Sequence, residues 1–221
     1  MIELLVSAIG NVIANIVVLL LIPFIWWLIF HRKKLNFFKF IGLTRPRLKR
    51  SLLVFVGFMA VYSIIYFIEL PNLLITLFGD DPDVIHEIMD ESGTMQDTPY
   101  KGMRFAALLP AFLVNFIANG VCEEALYRGF ILKRLKGLWG TKPAILLQGV
   151  LFGLMHNGLF LLGGVSVGIA YHLGIFLWTS IAGILLGILN EEVFDGESIV
   201  PSIILHGIGN YFGTIRVAFG F

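Results

Sequence analysis

Three short patterns in the second half of the chain place ionisable and hydrogen-bonding groups inside apolar sequence. The first is Glu123, Glu124 and Arg128, in the run Val121-Cys122-Glu123-Glu124-Ala125-Leu126-Tyr127-Arg128-Gly129-Phe130. The second is Phe152 followed four residues later by His156, and the third is His206 followed four residues later by Asn210. A carboxylate takes a proton from water, an imidazole holds or relays one, and a carboxamide donates and accepts hydrogen bonds. Burial beside a second carboxylate brings a glutamate closer to useful general-base strength.

On helices, residues four apart share a face. Asn115, Asn119 and Glu123 then form one polar stripe, Gln148, Phe152 and His156 a second, and Ser202, His206 and Asn210 a third. Three such stripes in apolar sequence imply a shared, partly hydrated cavity, because each would be costly against lipid. Glu124 and Arg128 lie about 100° around from Glu123 and are spaced to pair. One glutamate is thereby neutralised and the other left available.

The elements that must position these groups are membrane helices. Apolar residues make up 57% of the 221 positions and charged residues 14%, with a mean hydropathy of +0.88. Such a chain belongs in lipid, and the expected fold is an all-α, polytopic transmembrane bundle of about six spans, six to eight being compatible with the length. The expected spans are Ile2 to Phe30, Ser51 to Leu70 closed by Pro71, Arg104 to Phe130, Pro143 to Gly163-Gly164, Val165 to Leu189, and Ile199 to Phe219. Glu3, in place of basic residues, and the length of the first run argue for a retained anchor helix rather than a signal peptide. Residues 1–221 read as one membrane domain, with a motif-bearing core at about 104–219.

Lysine and arginine near span ends mark the cytoplasmic side. Eight of them fall in His31 to Arg50, whereas Pro71 to Met103 carries Asp80, Asp81, Asp83, Glu87, Asp90, Glu91 and Asp97 against Lys101. The N-terminus is therefore expected outside, the acidic loop outside and the basic loop inside. Phe37, Phe38, Phe40 and Ile41 within the basic loop suit either an interfacial amphipathic helix or an ordinary solvated loop. On this topology Glu123 lies near the inner end of its span and His206 about two turns from the inner surface, so the cavity opens toward the cytoplasm.

Ionisable groups inside spans cost roughly 2.5–3.5 kcal/mol each on insertion scales, so their presence points to a task. EExxxR, FxxxH and HxxxN, in this order on separate helices, resemble the CPBP family of intramembrane proteases. That family includes the Ras-converting CAAX endopeptidases and the bacterial Abi proteins of bacteriocin processing and self-immunity. The resemblance covers about Gly120 to Asn210, with no motif position substituted. It implies hydrolysis of a peptide bond by a glutamate-activated water, with Glu123 as the activating residue and His156 helping to hold the water. It implies further that His206 and Asn210 form the oxyanion hole, and that no cofactor and no metal is required. Glu124, Arg128 and Phe152 are read as supporting residues.

The implied partners are the bilayer and a peptide or membrane-associated protein substrate, lipidated or not; nothing calls for nucleic acid. The implied location is a cell membrane, prokaryotic if the chain's compactness is a guide. Two other classes remain open at this point. One is a metal-binding membrane protease or a transporter, although the chain lacks HExxH, asparagine is a poor zinc ligand, and no internal repeat is visible. The other is a non-catalytic self-immunity or adaptor protein that keeps the motifs. Cys122 points about 100° away from Glu123 without a basic partner, and His31, His86 and His172 receive no role. The glycines around Gly163, Gly183 and Gly187 are read as close-packing positions.

Overall fold

The structure is a computed structural model that describes residues 2–46, 52–68, 70–91, 97–162 and 167–220. Among the described residues every regular element is helical, as the composition requires. The long helices are α1 (Ile2–Phe30), α3 (Leu52–Phe67), α6 (Arg104–Trp139), α7 (Thr141–Leu162), α8 (Ile169–Val193) and α9 (Val200–Phe219). Shorter helices are α2 (Phe37–Phe40), α4 (Leu70–Leu77) and α5 (Pro82–Glu91). The six long helices stand where the six apolar runs place them. Three of them, α1, α6 and α8, are long and apolar enough to cross a membrane by length and composition alone. The expected junction at Gly163-Gly164 and Val165, and the expected start at Ser51, lie outside the described residues.

Three boundaries differ from the sequence reading. Pro71 does not simply close the second span: it sits in the first turn of α4, where its missing N–H removes no intrahelical bond. Among its described residues the acidic connection from Pro71 to Met103 is largely helical. It folds α4 and α5 against α8 through buried Ile75, Ile85, Met89, Ala170 and Tyr171. The third span does not end at Phe130 but continues as helix to Trp139, carrying Lys133, Arg134 and Lys136 with it. Lys136 forms an ion pair with Glu191 near the end of α8.

The basic loop is pinned rather than laid out on the surface. Only one turn, α2, forms, with Asn36 accepting from the Lys39 N–H at 2.8 Å. Phe40 and Ile41 are buried against Ala125, Phe130, Ile199 and Ile203, while Phe38 stays exposed. The loop also bonds to the start of α9, since Ile199 N–H donates to the Gly42 carbonyl at 2.9 Å. The acidic side meets the other end of α9, where the Thr214 hydroxyl lies 2.6 Å from the Asp97 carboxylate. The basic and acidic connections thus sit at opposite ends of the last helix.

Helices α7 and α8 pack closely because glycines face each other. A Cβ on Gly183 would stand 3.1 Å from the Gly149 Cα and 3.2 Å from the Phe152 Cβ. A Cβ on Gly153 would meet the Phe176 carbonyl oxygen at 2.6 Å. The close-packing role expected of Gly183 is therefore what the structure has; Gly163 lies outside the described residues.

Candidate active site

The motif-bearing middle of α6 is wound as a π-helix, over Leu113–Glu123 and again over Ala125–Ile131. Such turns bond i to i+5, are rare, and gather at functional sites. Here they are held by close neighbours. A Cβ on Gly120 would lie 3.4 Å from the Ile203 carbonyl oxygen, and one on Gly129 only 2.3 Å from that of Ile41.

This winding changes which glutamate meets the last helix. Helices α6 and α9 run antiparallel, because Asn115 Nδ2 donates to Thr214 Oγ1 at 3.0 Å while Glu124 Oε1 meets His206 Nδ1 at 2.9 Å. Nine residues of α6 (124 − 115) therefore match eight of α9 (214 − 206). With regular α-helical stripes, Asn115, Asn119 and Glu123 would have faced Thr214, Asn210 and His206 in turn. The widened turns absorb one more residue and bring Glu124, rather than Glu123, into direct contact with the histidine.

Glu124 and Arg128 pair as their spacing predicts, with Nη1 to Oε1 at 2.9 Å and both side chains 0% exposed. The guanidinium also donates through Nη2 to the Gly183 carbonyl at 3.1 Å and lies 4.5 Å above the Phe152 ring. Gln148 Nε2 donates to the same carbonyl at 2.7 Å and to the Ile145 carbonyl at 3.1 Å. Phe152 sits amid the cluster, its ring centroid 4.4 Å from that of His156 and 5.9 Å from that of His206.

The second carboxylate is poised between the two histidines. Glu123 Oε2 lies 3.8 Å from His156 Nε2 and 3.9 Å from His206 Nε2. These separations are too long for direct hydrogen bonds. They suit a shared oxygen atom, because a point about 2.8 Å from Oε2 can stand equally close to either nitrogen. Glu123 Oε2 is itself buried and accepts no hydrogen bond among the described residues. His156 is the most exposed of the three, with 25% of its side chain accessible, and its Nδ1 is held against the Phe152 carbonyl at 2.9 Å. If that nitrogen carries the ring's single proton, Nε2 faces Glu123 as a proton acceptor.

The expected convergence of Glu123, His156 and His206 is thus what the structure has. Asn210 is half-buried one turn beyond His206, and its backbone carbonyl accepts from Thr214. Cys122 is buried. His172 bonds to Asn157 and His86 to Asn72, each at 2.8 Å; His31 packs on the Phe40 ring. Among the described residues no three His, Cys, Asp or Glu side chains are grouped to hold a metal ion.

Two contributors were not legible as such in the sequence. Gln148 was visible as a buried amide in a polar stripe, but its partner, a carbonyl of α8, carries no side-chain signal. Ser202, on the third stripe, receives Asn190 Nδ2 at 2.8 Å and ties the end of α8 to α9.

Residues 105–212 match the family model described as type II CAAX prenyl endopeptidase Rce1-like, in agreement with the family that the three motifs resemble. The matched segment begins at the start of α6 and ends within α9, so it contains every residue of the cluster. No curated protein and no solved structure matches the chain.

Proposed function

We propose that this membrane protein is a glutamate-type intramembrane endopeptidase, since Glu123, His156 and His206 all lie within the segment that matches the CAAX prenyl endopeptidase family model. The observation that carries the reading is the single buried oxygen, Glu123 Oε2, set 3.8 and 3.9 Å from two imidazole nitrogens on different helices. A purely structural charge cluster needs only the Glu124–Arg128 pair and gives no account of this second carboxylate.

In the proposed reaction, water binds between Glu123 and His156. Glu123 takes its proton as the oxygen attacks the scissile carbonyl carbon, and the peptide C–N bond breaks as that proton passes to the leaving amine. His206 Nε2 and the Asn210 carboxamide donate to the oxyanion. Since Glu124 is an acceptor, His206 Nδ1 carries a proton, and donation by Nε2 as well requires the doubly protonated ring. No cation is needed for these steps.

The site is reached from the basic side of the membrane, which is the cytoplasm by the charge rule. His206 lies six residues into α9, roughly 9 Å from the end that bonds to the basic loop. The substrate is a peptide presented at that face by a membrane-associated protein, with or without a lipid tail.

The test is cleavage by the purified protein of an internally quenched CAAX peptide, in farnesylated and unlipidated forms, beside the Glu123→Gln variant. Cleavage by the wild type and none by Glu123→Gln is expected. Equal turnover by the two proteins would remove Glu123 from the mechanism, and no cleavage by either would favour the adaptor reading.

A further inference from the structure

Both amide hydrogens of Gln148 are engaged, one with the Ile145 carbonyl in its own helix and the other with the Gly183 carbonyl on α8. Two facing carbonyl oxygens fix the amide's orientation, because the flipped amide would set oxygen against oxygen. Gln148 is 0% exposed, so no solvent competes for it. Two glycines give it this position. A Cβ on Gly187 would stand 2.9 Å from Gln148 Nε2, and one on Gly183 would press on Gly149 and Phe152. The glycines that pack α7 against α8 therefore also present a backbone carbonyl to side chains from two other helices.

Arg128 uses the same carbonyl. Its guanidinium is held at three places: Glu124 Oε1, the Gly183 carbonyl and the Phe152 ring. Glu124 Oε1 in turn meets His206 Nδ1. A continuous polar chain thus runs from Gln148 on α7, through Gly183 on α8 and Arg128 and Glu124 on α6, to His206 on α9. His206 Nε2 then faces Glu123. Arg128 Nε, Gln148 Oε1 and Glu124 Oε2 are buried without a hydrogen-bond partner among the described residues.

We propose that Gln148 is a positioning residue for His206. By sharing the Gly183 carbonyl with Arg128, it fixes the guanidinium that fixes Glu124, and Glu124 sets the protonated nitrogen and the ring orientation of His206. This rests on the protease reading for its kinetic consequence but not for its structural one.

The decisive variant is Gln148→Glu. A carboxylate cannot donate to two carbonyls and would turn instead to Arg128, competing with Glu124 for the only buried guanidinium in the cluster. Gln148→Met keeps the length, removes the donor and also removes the unpartnered oxygen, so it tests the same link with little cost to folding. Two readouts are needed on the full-length protein in detergent micelles. The first is kinetics on the quenched farnesylated CAAX peptide. For Gln148→Glu a fall in kcat of about 100-fold is expected, the usual cost of misplacing a catalytic group by about 1 Å. For Gln148→Met about 10-fold is expected, and in both KM should change by less than about 2-fold. The second is 15N NMR of labelled histidine, with His206 assigned by loss of its signal in His206→Gln. The wild type should show a protonated Nδ1 on His206, and both Gln148 variants should change that signal while leaving that of His172 in place.

An unchanged His206 spectrum together with unchanged kcat in either correctly folded variant would overturn the proposal. A fall in kcat without any change at His206 would also overturn it, since Gln148 would then act by another route. If the wild type cleaves nothing but the His206 signal still follows Gln148, the positional link is upheld and the protease reading is what fails.

Discussion

Replacing Glu124 by glutamine separates the two adjacent glutamates by their energetics. Glu124 is 0% exposed, and its Oε1 meets both Arg128 Nη1 and His206 Nδ1 at 2.9 Å. Glutamine leaves Arg128, also 0% exposed, charged and without its counter-ion. Breaking a buried pair from one side costs about 3–5 kcal/mol. For a chain of this length about 1 kcal/mol moves the melting temperature by about 2–4 °C, so Glu124→Gln should lower it by about 6–20 °C. Glu123 makes no hydrogen bond to either histidine, at 3.8 and 3.9 Å. Glu123→Gln keeps the shape and should cost about 1 kcal/mol or less, a shift below about 4 °C. The assay is thermal unfolding of the purified variants in one detergent, followed by tryptophan fluorescence. The double variant Glu124→Gln with Arg128→Met should recover part of the loss, because it removes the orphaned charge. Equal shifts for the two single variants would refute this division between a structural and an available carboxylate.

Three further outcomes are expected. Chelators should leave peptide cleavage within about 2-fold of its untreated rate; activity lost on chelation and restored by stoichiometric zinc would establish the metalloprotease reading instead. Gly183→Ala sets a Cβ 3.1 Å from the Gly149 Cα. It should destabilise by about 1–3 kcal/mol as α7 and α8 are forced apart, and unchanged unfolding would show that the contact relaxes freely. In the acidic loop, burial raises the Asp97 carboxyl above the ordinary range, against the opposing pull of its Thr214 hydrogen bond. A raised carboxyl favours the folded loop at low pH, an advantage lost as pH rises through the raised value. Hydrogen exchange around Tyr100 should therefore quicken as pH climbs above the normal aspartate range, after correction for intrinsic rates. Asp97→Asn should abolish that dependence, and a wild-type profile in the variant would exclude Asp97 as its source.

How much of this was legible in the sequence follows from the range of each interaction. Apolar runs of about 20 residues must become helices in lipid, because backbone groups there have no other partners, and all six long helices stand where those runs lie. Spacing of four residues sufficed for the Glu124–Arg128 pair, and the order of the three motifs sufficed for a resemblance to the family whose model matches residues 105–212. Charge separated the basic and acidic connections, which the structure places at opposite ends of α9. The ends of elements were less legible. Nothing local says that α6 continues through Lys133 and Lys136, since the gain comes from burying Leu132 and pairing Lys136 with Glu191, 55 residues away. The winding of α6 was hidden for the same reason. A π-turn exchanges regular backbone bonds for a different placement of side chains, and it is held by glycine contacts with Ile203 and Ile41 that belong to other elements. That winding makes Glu124 the partner of His206 and leaves Glu123 between two imidazoles. The sequence determined which residue types are available for chemistry and roughly at what depth. Only packing decided which carboxylate meets His206, through an 82-residue separation, and only packing bared the Gly183 carbonyl, a group every residue has and no spacing can single out.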